Sequence, residues 1–161
     1  MKRAVVELDE ADQRLLRAVQ RDASVSQAEL AEQAGVSPSL VSRRLSRLKE
    51  SGVLRAVVGL VNPEQVGLTC SAIIRVRLKD HAAASVKAFR DLVTRMNEVT
   101  LCVMLTGEAD YLLKIVARDL PHFQQIVQSK LLRCAAIAHM ESSIVLEHLK
   151  DTTALPLDEA F

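Results

Sequence analysis

The apolar residues of this chain change period near residue 53, and that change constrains the fold more than any other feature. Before it they recur at helical spacing. After it they alternate in short runs, interrupted by two further stretches of helical spacing. A helical unit followed by a mixed strand and helix unit is expected, and 161 residues suffice for two small domains. Hydrophobic residues make up 49% of the chain, which allows a packed core for each. With three Phe, one Tyr and no Trp, those cores must be built from Leu, Val, Ile and Ala.

The first third predicts three helices. In "ELDEADQRLLRAVQRD", Leu8, Leu15, Leu16 and Val19 share a face, with Asp9 as N-cap and Asp12 three residues on. In "SVSQAELAEQAG", Ser26 and Glu29 form a capping box and Gly35 ends the helix. In "VSPSLVSRRLSRLKESG", Ser37 is the expected cap, Pro38 fits the first turn and Gly52 stops the helix. "VLRAVVGLVNP" then alternates up to Pro63, as a strand or β-ribbon would.

The remainder predicts the order β-α-β-β-α-β. "TCSAIIRVRLK" alternates as a strand, and "AAASVKAFRDLVTRM" places Val86, Phe89, Val93 and Met96 at helical spacing. "EVTLCVML" and "DYLLKIVA" are strands joined through Thr106 to Ala109. "DLPHFQQIVQSKLLR" is a helix capped by Asp119, and "AIAHMESSIVLEHLK" is a last strand. The fold class is therefore α+β: an N-terminal winged helix-turn-helix and a C-terminal ferredoxin-like βαββαβ domain. The expected domains are residues 1–53, a β-ribbon wing or linker at 54–68, and 69–161, with the tail ordered where it packs. Helices should cover one sheet face, leaving the other for a second subunit.

Net charge is only +1, so the total says nothing of a nucleic-acid partner, but its distribution does. Residues 37–55 hold Arg43, Arg44, Arg47, Lys49 and Arg55 against Glu50 alone, a local net of +4. Such a cluster is usually a solvated helix face. Here it coincides with a small residue for helix crossing (Ala31), a turn glycine (Gly35) and an inward stripe of Val41, Leu45 and Leu48. Ser39, Ser42, Arg43, Ser46 and Arg47 lie opposite that stripe. Short hydroxyls and arginines suit a helix in the major groove of double-stranded DNA. The helix start at Ser37 to Ser39 can meet a phosphate, and Arg55 on the ribbon can reach the backbone. Which of Arg43, Arg44 and Arg47 reads a base is left open.

Other classes find little support. Cys70, Cys102 and Cys134 are odd in number and far apart, which excludes a disulfide scaffold, fits a reducing compartment, and predicts buried, inert thiols. The four histidines are scattered, with no metal-ligand spacing, and no P-loop, GxGxxG or GxSxG occurs. No enzyme activity, cofactor or metal is expected. The opening apolar run is too short for a signal peptide, and no stretch spans a membrane, so a cytoplasmic location is the default.

"LTGEADYLLK" (Leu105 to Lys114) sits between the two middle strands. A turn explains Gly107, and a local hydrogen bond explains Asp110. The same residues also suit a free amino acid, whose ammonium needs an acid, Glu108 or Asp110, and whose carboxylate needs N–H donors or Thr106.

The segments "LDEADQRLLRAVQRDASVSQAELAEQAGVSPSLVSRRLSRLKESGVL", "LVNPEQVGL", "LTGEADYLLKIVARDL" and "SSIVLEHLKDTTALPL" together resemble the Lrp/AsnC (leucine-responsive, "feast/famine") transcription regulators over about residues 8–157. The resemblance implies an N-terminal operator-binding domain and a C-terminal domain of the RAM type. It further implies a homodimer assembling into octamers or similar rings. A small effector, usually an amino acid, would sit near the hairpin at Leu105, Thr106, Gly107, Glu108 and Asp110, with Ser142 and Ser143 of the last strand as further candidates. An effector-independent architectural DNA-binding protein of the same fold would carry the same residues.

Overall fold

Helix α1 (Glu10–Arg21) begins in a reciprocal capping box: Asp12 N–H donates to the Asp9 carboxylate (2.8 Å) and Asp9 N–H to the Asp12 carboxylate (3.3 Å). The structure, a computed structural model, describes residues 6–157. The signal-peptide reading of the first residues and the end of the tail fall partly on residues 1–5 and 158–161, outside that range. Helix α2 (Gln27–Ala34) carries the second capping box, Ser26 with Glu29, and ends at Gly35. Gly35 has φ +67°, a left-handed conformation that favours glycine. Helix α3 (Pro38–Glu50) follows directly. Ser37 occupies its N-cap position, but its hydroxyl does not cap; it pairs with the Ser39 hydroxyl at 3.1 Å.

Leu15, Ala18, Leu30, Ala31, Ala34 and Val41 form the core of this unit, with Leu45 packed against it. Each fully buried leucine contributes roughly 1.5–3 kcal/mol. Residues 150–157 pack with this first unit. The Gln20 side chain holds them: Leu155 N–H donates to its oxygen (2.7 Å), and its amide N–H donates to the Leu155 carbonyl (3.4 Å).

The second unit, residues 61–149, is built on one antiparallel sheet. Its elements are β1 (Cys70–Leu78), α4 (Ala83–Thr94), β2 (Val99–Met104), β3 (Tyr111–Ala117), α5 (Leu120–Ile126) and β4 (Ile137–Ile144). The strand order is β2-β3-β1-β4, so β1 and β3 are central. Cys70, Ala72, Ile74, Val76 and Leu78 of β1 are buried on the helix-covered face, beside Leu113 and Ile115 of β3. Phe89, Val93, Phe123, Ile126 and Leu131 cover them. The Phe89 and Tyr111 rings lie 4.6 Å apart, tilted by 41°. On the other face Ser71 and Ile73 are half-buried and Arg75 and Arg77 exposed.

Three further expectations need correction. Residues 54–62 form no strand and pair with none among the described residues; Val57, Val58, Leu60 and Val61 are exposed there. Alternation marks a strand only where a ladder partner exists. The fifth helix does not run evenly: one π turn, Val127–Leu131, follows α5, with Leu132 N–H donating to the Val127 carbonyl at 2.9 Å. It keeps Leu131 in the core while the Lys130 ammonium reaches Glu98 (2.6 Å). Finally, Cys102 on edge strand β2 is exposed, whereas Cys70 is buried and Cys134 half-buried. Burial pushes the Cys70 thiol pKa up.

Candidate functional site

The outer face of α3 carries the serines and arginines that helical spacing places there. Ser39, Ser42, Arg43 and Ser46 are exposed. Their arginine neighbours differ sharply from one another. Arg44 turns inward, at 2.6 Å from the Asp9 carboxylate and 2.9 Å from that of Asp12, and its side chain is 24% exposed. Arg47 also pairs with Asp12 but stays half exposed. Asp12 is wholly buried, the only buried charged residue among those described. Two guanidiniums and the Asp9 N–H satisfy it, which makes its burial tolerable. The Arg44 guanidinium holds the Asp9 pKa below the ordinary carboxylate range, and the two acids raise that of Arg44.

Arg43 has no ion-pair partner within 4.0 Å among the described residues and is the free cation of this face. It lines a depression of about 220 Å³ with Asp9, Leu40, Arg44 and Arg47. At the start of α3 no side chain caps the helix, Pro38 has no N–H, and the Leu40 and Val41 N–H groups donate to the Ser37 carbonyl, which leaves the Ser39 N–H for an anion. Arg55 is exposed, but in the segment that forms no strand, so no ribbon presents it.

In the second unit the β2–β3 loop closes by backbone bonds. Leu105 N–H donates to the Asp110 carbonyl (2.8 Å) and Asp110 N–H to the Val76 carbonyl (2.9 Å). The Asp110 carboxylate accepts from Leu78 N–H at 2.7 Å, with the His81 imidazole 3.6 Å from its other oxygen. Asp110 thus ties the hairpin to the end of β1. Gly107, at φ +110°, takes a backbone conformation that other residues rarely adopt.

Beside this loop lies an open cavity of about 600 Å³. Strand β1 contributes Arg75, Val76 and Arg77, the loop contributes Leu105, Thr106, Glu108 and Ala109, and β4 contributes His139 and Glu141. Arg75 and Glu141 pair across the strands at 3.2 Å. Of the residues nominated from sequence, Leu105, Thr106 and Glu108 line this cavity. Gly107 and Asp110 do not line it. Ser142 and Ser143 do not line it; the β1–β4 register sets them opposite Ile74 and Ile73, further along the sheet. Sequence reasoning missed Arg75, Arg77, His139 and Glu141. Alternation already put Arg75 and Arg77 on the polar face of β1, but the register that brings His139 opposite Arg77 is not written in either strand alone.

A helix-turn-helix unit followed by a separate sheet-and-helix unit with an open polar cavity fits a DNA-binding regulator with its own ligand-binding domain. Comparisons with known proteins agree. Residues 8–55 match the family model for winged helix-turn-helix DNA-binding, and residues 71–155 that of the Lrp/AsnC ligand binding domain. The chain is 32% identical to the transcriptional regulator AzlB of Bacillus subtilis, over 94% of this chain and 97% of that protein. It is 30% identical to the DNA-binding transcriptional activator DecR of Escherichia coli, over 94% and 99%. Among solved structures, a Neisseria meningitidis transcriptional regulator in complex with L-Met superposes with a TM-score of 0.90 at 36% identity, covering 94% of this chain and 98% of that one. The chain belongs to the Lrp/AsnC family of transcription regulators. These relatives are regulators, not enzymes. No helix among the described residues is long and apolar enough to cross a membrane.

Proposed function

We propose that this regulator binds a free amino acid in the cavity beside the 105–110 loop and changes its hold on operator DNA in response. The observation that carries the reading is the division of labour between the two loop acids. Asp110 is committed to Leu78 N–H, whereas Glu108 lines the cavity with no partner among the described residues, available to an ammonium group. The cavity volume is in the range of small-molecule sites. The Neisseria meningitidis relative in complex with L-Met supports an amino acid as the class.

For DNA, Arg43 with Ser39, Ser42 and Ser46 is the reading face, the α3 start at Ser37 takes a phosphate, Arg47 and Arg55 reach the backbone, and Arg44 braces the helix. The protein works as a homodimer or a higher ring of dimers. Its open sheet face supports this, because Ile73 of β1 and Leu101 and Val103 of β2 would otherwise stay in water. Thermal denaturation of the full chain against the twenty amino acids tests the effector claim, since any ligand of the native state raises the melting temperature. A gel shift on the gene's own upstream DNA, with and without the stabilising amino acid, follows. If no amino acid stabilises the protein, the effector-independent architectural role takes its place.

A further inference from the structure

Helix α3 exposes one large hydrophobic side chain, that of Leu40, at 39%. Val36 and Leu45 pack against the core of the helical unit, whereas Leu40 does not join it. A single exposed leucine is ordinary on a protein surface. The neighbours of this one are not. Leu40 stands three residues before Arg43, and residues three apart are neighbours on a helix. The two side chains line the same depression of about 220 Å³, with Asp9, Arg44 and Arg47. Leu40 also lies in the first turn of α3, where its N–H donates to the Ser37 carbonyl at 3.0 Å. The N-terminal residues of a recognition helix are the ones that reach base edges. This surface belongs to the helical unit, whereas the surface given to a second subunit is the open face of the sheet.

The chemistry of the major groove limits what such a side chain can meet. Its base edges present hydrogen-bond donors and acceptors, and one apolar group, the C5 methyl of thymine. A leucine set against a polar edge would remove water from a donor or acceptor without replacing the hydrogen bond. Set against a thymine methyl, it removes two apolar surfaces from water together. A guanidinium has the opposite preference and matches the O6 and N7 acceptors of guanine. Three residues advance about 4.5 Å along a helix, and one base-pair step is about 3.4 Å. Leu40 and Arg43 therefore fall on neighbouring base pairs when α3 runs along the groove.

We propose that Leu40 is a specificity-determining residue for the operator, packing on the methyl of a thymine in the base pair next to the guanine that Arg43 binds. The inference rests on the DNA-reading face assigned to α3 above.

The test uses the full-length protein and duplexes carrying its preferred site, obtained by selection from random sequence. Each thymine is exchanged in turn for uracil, which pairs alike and lacks only the methyl. For wild type, exchange of one thymine per half-site should weaken binding by about fourfold, the effect of one buried methyl group. Leu40→Ala should bind the thymine and uracil duplexes equally. It should keep the guanine preference at the neighbouring pair, the preference that Arg43→Ala relaxes. A Leu40→Ala protein with the full uracil penalty overturns the assignment, as does a sensitive thymine that is not next to that guanine. If Leu40→Ala does not fold, wild type decides alone, because indifference to every uracil exchange also overturns it. A selection that yields no preferred sequence removes the base-reading role of α3 and this inference together. A preferred sequence without a uracil effect removes only the second.

Discussion

Each unit keeps one acid at the base of its candidate functional surface, and the two acids hold different things. Asp12 in the helical unit holds guanidiniums, those of Arg44 and Arg47. Asp110 in the sheet unit holds a backbone N–H, that of Leu78. In the first case the scaffold takes up two of the α3 arginines, so Arg43 is the one arginine of that helix without an ion-pair partner among the described residues. In the second case the acid takes a backbone N–H, with the His81 imidazole 3.6 Å from its other oxygen, and Glu108 of the same loop keeps no partner among the described residues. A charge count along a sequence does not separate these cases. The partner of each charge does.

That contrast can be broken experimentally, and the largest effect should come from Asp12. Asp12→Ala removes the buried acceptor shared by Arg44 and Arg47, leaving Arg44 with Asp9 alone, and should lower stability by about 3 kcal/mol in urea unfolding. A loss under 1 kcal/mol would mean that the buried pairing does not brace the unit. Next, Asp110→Ala removes the acceptor of Leu78 N–H and should cost about 1–3 kcal/mol even without ligand. Glu108→Gln, by contrast, should leave the ligand-free melting temperature unchanged. Equal melting temperatures for the two variants would erase the distinction between a holding acid and a free one. Arg43→Ala should change stability by no more than about 0.5 kcal/mol. It should nevertheless weaken operator binding and reduce the salt slope by about one.

The smallest effect concerns pH. Lys130 holds the Glu98 carboxylate pKa below its ordinary range despite partial burial. A depressed native pKa contributes stability that is present above the unfolded value and lost as pH falls through the native one. Wild type should therefore lose stability on acidification below the ordinary glutamate range more steeply than Glu98→Gln. Parallel acid titration curves would show the pair to be indifferent.

Most of the fold is written in local chemistry. The caps at Asp9, Ser26 and Asp119, the stops at Gly35 and Gly52, and the alternation of β1 each depend on neighbours within a few residues, and the structure realises them. What escaped depends on distant partners. Residues 54–62 alternate like a strand but have no ladder to join. The π turn at Val127–Leu131 is set by Leu131 reaching the core and Lys130 reaching Glu98. Gln20 and Leu155 meet across most of the chain. The site divides in the same way. The loop residues Leu105, Thr106 and Glu108 were legible in one segment. Arg77 and His139 become neighbours only through the β1–β4 pairing, and the ion pairs of Arg44 form only when α3 meets Asp9 and Asp12.

The central claim is that a free acid beside a fixed loop senses an amino acid. Thermal denaturation of wild type and Glu108→Gln against the twenty amino acids tests it most directly. The account predicts that at least one amino acid raises the wild-type melting temperature in a concentration-dependent way. Glu108→Gln should melt like wild type without ligand and lose that response. A wild type that no amino acid stabilises, or a Glu108→Gln protein with an undiminished response, would contradict it.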